Sequence, residues 1–343
     1  EVKRRLAAMS GECPEIPVVV GGKAIHTGDM TDVHSPHDHQ HVIARFHRAR
    51  PEDVTAAIAA AAEAQKEWAL WRWEDRATVM LRAAELLSTS WRSTMNAATM
   101  LGQSKTIYQS EIDAACEMTD FFRFNAHFAQ ELYTEQPLSV PGMWNQSDYR
   151  PLEGFVYAVS PFNFTAIGGN LTSAPALMGN VVLWKPAGTA VLSSWHMYQL
   201  MVEAGLPDGV INFLPGNASA ISSVALSHRD LAGVHFTGSN EVFNSMWDTI
   251  GRNMANYRSY PRIVGETGGK DFIVAHPSAD PKALAVAMVR GSFEYQGQKC
   301  SAASRAYIPK SLWKQVLAYT LEMMSDIRMG DVADFRNFMG AVI

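Results

Sequence analysis

The chain has 343 residues, a formal net charge of −5, 47% hydrophobic residues and only 18% charged ones. That length and apolar content suit two domains or one large one, and exclude a disordered or collagen-like chain. The mild acidity argues against a nucleic-acid partner, and 3 cysteines are too few for a disulfide framework, which points to a reducing compartment. Between Glu153 and Lys185, 31 consecutive residues lack Asp, Glu, Lys and Arg, a length that would suit a membrane span. The same stretch holds Pro161, Pro175, Gly168, Gly169, Asn163 and Asn170, which break helices or carry polar groups that a bilayer rejects. It reads as the dry interior of a protein, with no membrane partner.

Residue 1 is Glu, so the natural start is expected upstream or processed, and no apolar signal run follows Lys3–Arg5. Ile16–Ser35 reads as a hairpin turning at Gly21-Gly22. Pro51, Glu52 and Asp53 open an alanine-rich helix that runs to Trp68. A second helix is predicted over about 75–87 and a third over about 110–133, the latter carrying Phe121, Phe122, Phe124 and Phe128. Residues 136–150, with Pro137, Pro141 and Gly142, read as an extended or hairpin connection. From Phe155 the pattern changes. Strand-like runs at 155–159, 181–184, 211–214 and 233–236 alternate with helical ones, the grammar of a parallel sheet, and a further buried strand is predicted at 272–274.

Chemistry-bearing residues sit at the ends of these runs. Gly238-Ser239 opens a helix and offers free N–H groups to a phosphate, or is simply an ordinary cap. Lys185 follows a strand, where open α/β sheets bind ligands, though a surface lysine explains it equally. Cys300, in Gly-Gln-Lys-Cys-Ser, is a candidate nucleophile whose neighbour Lys299 is expected to favour the thiolate. Glu266 precedes Thr267-Gly268-Gly269, where the backbone can approach a ligand closely. Asn163, between aromatics, can donate to an oxyanion or merely form a turn. Cys13, in a terminal segment, and Cys116, inside a helix, are expected to be buried structural thiols. His34, His37, His39 and His41 lie beside Asp38 in a polar hairpin without cysteines, and no metal is expected there.

In order along the chain, Ser-Pro-Phe-Asn-Phe, Trp-Lys-Pro, Phe-Thr-Gly-Ser, Gly-Glu-Thr-Gly-Gly-Lys and Gly-Gln-Lys-Cys resemble the aldehyde dehydrogenase superfamily. The likeness runs from about Val18 to the last residue. Thr99–Lys105, Glu111–Ala115, Phe121–Asn125, Gly169–Leu171 and Phe293–Ala302 are similar to the Δ1-pyrroline-5-carboxylate dehydrogenase branch, which oxidises L-glutamate γ-semialdehyde.

The resemblance implies an α/β fold with a Rossmann-like parallel-sheet NAD-binding domain over 1–135 and 151–265. It also implies part of an oligomerisation flap over 136–150, and an incomplete α/β catalytic domain over 266–343. Cys300 would attack the aldehyde, Asn163 would hold the oxyanion and Glu266 would activate water. NAD would contact Ser160, Pro161, Phe162, Lys185, Gly238 and Ser239. Glu117 would approach the substrate's amino group, sharing a helix face with Phe121 and Phe124, while Phe164 packs its chain and Ser301 binds its carboxylate. Family members continue well beyond Ile343, so this chain alone is expected to be weakly active or inactive, and homo-oligomeric when complete. The compartment implied is the cytoplasm for a bacterial source and the mitochondrial matrix for a eukaryotic one. The alternatives are another semialdehyde dehydrogenase, a cysteine hydrolase needing a histidine partner, and an inactive fragment acting only as a binding module.

Overall fold

The structure is a computed structural model and describes residues 1–343. The strands are β1 (Glu15–Ile16), β2 (Val18–Val20), β3 (Lys23–Ile25), β4 (Met30–Ser35), β5 (Asp38–His47), β6 (Phe155–Val159) and β7 (Val181–Lys185). They continue with β8 (Ile211–Phe213), β9 (Leu231–Thr237), β10 (Arg262–Glu266), β11 (Asp271–Val274) and β12 (Ala303–Tyr307). A seven-stranded sheet runs in the order β10-β9-β6-β7-β8-β2-β3. Its first five strands are all parallel, and the β2–β3 hairpin closes one edge antiparallel to β8.

The uncharged stretch resolves into the sheet's centre: β6, the helix Thr165–Leu177 and β7. Its strands are buried on both faces. Val156, Ala158, Val182 and Trp184 pack to one side, while Phe155, Tyr157, Val159, Val181 and Leu183 pack to the other. A strand covered on both faces needs apolar residues at every position, so the run shows no alternation and excludes charge. No helix is long and apolar enough to cross a membrane.

Local chemistry explains the ends of several elements. Pro51 starts the helix Pro51–Trp68, where Asp53 Oδ2 accepts from the Arg50 N–H at 2.9 Å. The β2–β3 turn uses positive φ at Gly21 (56°) and Gly22 (75°), which side chains resist. The hairpin expected over 16–35 is therefore half right. β2 and β3 pair as read, but β4 pairs with β5, and β1 pairs parallel to β5.

Other elements depart from expectation. Helices Val2–Ser10 and Arg92–Gln103, and the strands β10 and β12, were not anticipated. The helix predicted from about 110 begins with a π-helical turn, Glu111–Cys116, before regular α-helix Glu117–Thr134. The wide turn is held by Glu111, which accepts from Arg92 and Asn96. Residues 136–150 have one bridging pair, Val140 with Met143, and expose Leu138 (90%) and Trp144 (82%). Cys13 and Cys116 are both exposed, contrary to expectation. Cys116 ends the π-helical turn on its solvent side, beside Arg92 and Glu111, rather than facing the core.

Candidate active site

The order of the parallel strands reverses at β6, with β7 on one side and β9 on the other. In such sheets the carboxyl ends at the reversal frame a crevice. A cavity of about 420 Å³ opens there, lined by Pro161, Phe162 and Asn163 after β6, and by Gly238 and Ser239 after β9. Gly268, Gly269, Lys299 and Cys300 face them. Pro161 and Cys300, far apart in the chain, thus meet only because strand ends converge on one edge.

Glu266 is the last residue of β10, and the Cys300 thiol donates to its Oε1 at 3.1 Å. A third strand end therefore delivers a carboxylate to the thiol. Burial, and then the hydrogen bond and charge of Glu266, push the Cys300 thiol up to about 11. Cys300 rests as a thiol hydrogen-bonded to Glu266. Lys299 does not perform the thiolate-favouring role expected of it, because its ammonium turns away to Asp113 at 3.0 Å. Gly269 has a steric reason: a Cβ there would lie 1.9 Å from the Cys300 carbonyl oxygen.

Asn163 faces the same cavity. Its amide Nδ2 donates to the Gln298 carbonyl at 2.8 Å, two residues before Cys300, while its Oδ1 is buried without a partner. The turn that carries it is pinned from behind. Gln103 donates to the Phe162 carbonyl at 2.6 Å and accepts from Thr165 at 2.6 Å, and Thr165 also meets Thr99 at 2.8 Å. Thr99 and Gln103 belong to a motif that sequence reading singled out without assigning it a task. No histidine lines the cavity, which removes the base that a cysteine hydrolase would need.

Ser239 caps the helix Asn240–Arg252, accepting from the Val242 N–H at 3.3 Å. Gly238 and Ser239, just before that helix, line the cavity, and the first N–H groups of a helix lack intrahelical partners. Lys185 ends β7, partly buried and with no acidic partner, and burial lowers its pKa. Ser160 is buried and accepts from the Trp184 indole at 2.9 Å, so its hydroxyl ties β6 to β7 beneath the crevice. Neither Ser160 nor Lys185 lines the 420 Å³ cavity itself.

Glu117 has one carboxylate oxygen, Oε2, buried and unpartnered. Burial first, then Asp113, raise it to about 7. The helix face proposed for it is only partly aromatic: Phe121 is half-buried, but Phe124 is 54% exposed beside Phe128. Phe164 is buried, and Ser301 is exposed in the turn after Cys300. Lys105, Asp113 and Tyr295 surround Phe164 and Lys299 and were missed by sequence reading.

The histidines His34, His37, His39 and His41 do not converge. His37 meets Ser104 and His41 meets the Ser10 carbonyl. Glu15, His26 and His47 do cluster, within 4.8 Å of one another. The Gly28 N–H donates to His47 Nδ1 at 3.1 Å, which leaves the ring proton on Nε2, facing Glu15 at 2.7 Å. That trio is a hydrogen-bonded unit as it stands.

A family described as "Aldehyde dehydrogenase family" matches residues 25–343, and the chain belongs to it. The chain is 51% identical over 333 residues to a protein named probable delta-1-pyrroline-5-carboxylate dehydrogenase from Schizosaccharomyces pombe, covering 96% of this chain and 61% of that one. It is 49% identical over 343 residues to the mitochondrial delta-1-pyrroline-5-carboxylate dehydrogenase of Mus musculus, covering 100% and 61%. The crystal structure of the Mycobacterium tuberculosis delta-pyrroline-5-carboxylate dehydrogenase bound with NAD superposes with a TM-score of 0.97 at 50% identity, covering 100% of this chain and 64% of that one. The fold is thus that of aldehyde dehydrogenases, and the chain spans about three fifths of the length of these curated relatives.

Proposed function

We propose that this chain carries the nucleophile, base and oxyanion donor of an NAD-dependent oxidation of L-glutamate γ-semialdehyde to L-glutamate, a step of proline breakdown. The observation that carries the chemistry is the Cys300 thiol on the Glu266 carboxylate at 3.1 Å, in one cavity with Asn163. The relatives' names support the substrate.

The residues present fit the dinucleotide. The cavity lies at the reversal of the sheet and ends on the free N–H groups of a capped helix. A partly buried ammonium without an acid partner, Lys185, stands one strand away. Pro161, Phe162, Gly238 and Ser239 would line its path, with Ser160 holding the strand ends beneath. When bound, NAD supplies the hydride acceptor.

The chain's own residues do the rest. Cys300 gives up its proton to solvent water and its sulfur adds to the aldehyde carbon as a thiohemiacetal. The Asn163 amide, held at 2.8 Å from the Gln298 carbonyl in the resting structure, is placed to turn to the developing oxyanion together with the Cys300 N–H. Loss of hydride leaves a thioester on Cys300. Glu266 then takes a proton from water, which releases the acid and returns the thiol. Glu117 offers its unpartnered oxygen to the substrate's amino group, with Phe164 against the aliphatic chain and Ser301 toward the carboxylate.

In our reading the cofactor domain takes 1–135 and 151–265, and the catalytic domain begins at 266, where the separate β11–β12 sheet starts. Exposed Leu138 and Trp144 support 136–150 as part of a flap that joins copies of the complete protein. The reading places the enzyme in the mitochondrial matrix for a eukaryotic source, supported by the mitochondrial name of the mouse relative, or in the cytoplasm for a bacterial one. NADH formation by the complete protein from glutamate semialdehyde and from succinate semialdehyde tests the assignment. At least about tenfold higher kcat/KM for the former is expected. Equal or reversed preference would replace it with another semialdehyde.

A further inference from the structure

Three charged side chains behind the nucleophile take part in none of those steps. Lys105 is fully buried just past the helix Arg92–Gln103, and it pairs with Asp113. Asp113, itself buried, also receives Lys299 at 3.0 Å. The Lys105 ammonium lies 4.2 Å from the ring centroid of Phe164 and 4.1 Å from that of Tyr295, and Lys299 lies 5.5 Å from Phe164. A buried ammonium is tolerated only when paired, and ring faces add further attraction. Lys105 thus has three partners and each is fixed by it.

The charged groups facing Glu117 are Asp113, Lys105, Lys299 and Glu266. Asp113 is saturated by two ammonium groups, whereas Glu117 Oε2 is buried with no partner. Resting on the amino-aldehyde reading above, we propose that Lys105 is a positioning residue for specificity. By clamping Phe164 and sharing Asp113 with Lys299, it reserves Glu117 as the one pocket carboxylate open to an ammonium group of the substrate.

Charge balance gives this role a sign. Lys105 and Lys299 offset two of the three carboxylates gathered here, Asp113, Glu117 and Glu266. Without Lys105 the pocket gains one further unit of negative charge, so Glu117 holds its proton to higher pH and loses its attraction for an ammonium. Without the Asp113 charge the pocket is one negative charge poorer, and Glu117 ionises at lower pH. A residue that only fills space predicts no such opposition.

The test compares pH profiles of kcat/KM in the complete protein with saturating NAD. The aldehydes are glutamate semialdehyde and the same five-carbon aldehyde acid lacking the amino group. Comparing variant with parent on one substrate cancels that substrate's own pH behaviour. For the amino aldehyde, Lys105→Met should raise KM at least about tenfold and move the acid limb up by about one unit, and Asp113→Asn should move it down. The double variant Lys105→Met/Asp113→Asn should return the limb to the parent's position. The des-amino substrate should show no shift in any variant. Limbs unmoved in the single variants, or moved alike for both substrates, would overturn the proposal while leaving the substrate assignment intact. A parent enzyme that treats both aldehydes alike would overturn that assignment, and the proposal with it. If Lys105→Met does not fold, Asp113→Asn decides alone: a downward shift supports the role and an unmoved limb refutes it.

Discussion

Replacing Glu266 by Gln separates two effects that this carboxylate has on Cys300. The thiol donates to Glu266 Oε1 at 3.1 Å and is held at about 11, chiefly by burial and then by the hydrogen bond and charge of Glu266. Since burial persists in the variant, only part of the rise is removed, about one unit. One unit multiplies the thiolate fraction at pH 8 about tenfold. A less basic sulfur is also a weaker nucleophile, by about threefold, so the net gain in alkylation rate is about threefold. Iodoacetamide labelling at pH 8, quantified peptide by peptide, reads this directly; peptide resolution matters because Cys13 and Cys116 are also exposed. With aldehyde and NAD, the complete Glu266→Gln protein should give a burst of one NADH per site. Steady turnover should then fall by about 10²–10⁴-fold, because the thioester waits for a base. Slower labelling of Cys300, together with loss of the burst, would refute the reasoning, for it would make Glu266 the base that draws the proton from the thiol.

Asn163→Ala should lower kcat/KM by about 10²–10³-fold while leaving NAD affinity, followed by fluorescence titration, unchanged. An equal loss in NAD affinity would mark Asn163 as part of the cofactor wall. Gly269→Ala sets a Cβ against the Cys300 carbonyl oxygen, 1.9 Å away in the present backbone. The nucleophile turn must shift, and activity should fall at least about 100-fold although the protein still binds NAD; wild-type turnover would show that the turn is soft.

Features decided by neighbours a few residues away were legible in the sequence. The Gly21-Gly22 hairpin, the Pro51 helix start, the Ser239 cap and the apolar strands β6 and β7 each follow from local sterics, capping or burial on both faces. The motifs at strand ends singled out Cys300, Glu266 and Asn163, which the structure brings together, because short loops at a sheet edge leave little freedom in where their side chains go. Charge partners were another matter. Lys299 adjoins Cys300 in the chain, yet its ammonium reaches Asp113, 186 positions away, and that single contact reverses the role that adjacency suggested. The π-helical turn that places Asp113, and the burial of Lys105 between Phe164 and Tyr295, likewise had no local signal.

The uncharged run between Glu153 and Lys185 shows where the two levels divide. Its composition alone required a dry environment, and its prolines and glycines alone ruled against a bilayer. That it forms the middle of a seven-stranded sheet, with Asn163 at the point where strand order reverses, was decided by tertiary structure. Apolar patterning sets which residues leave water, since transfer depends on the side chain itself. Which strand lies beside which, and which buried lysine meets which carboxylate, depends on the mutual fit of elements distant in the chain.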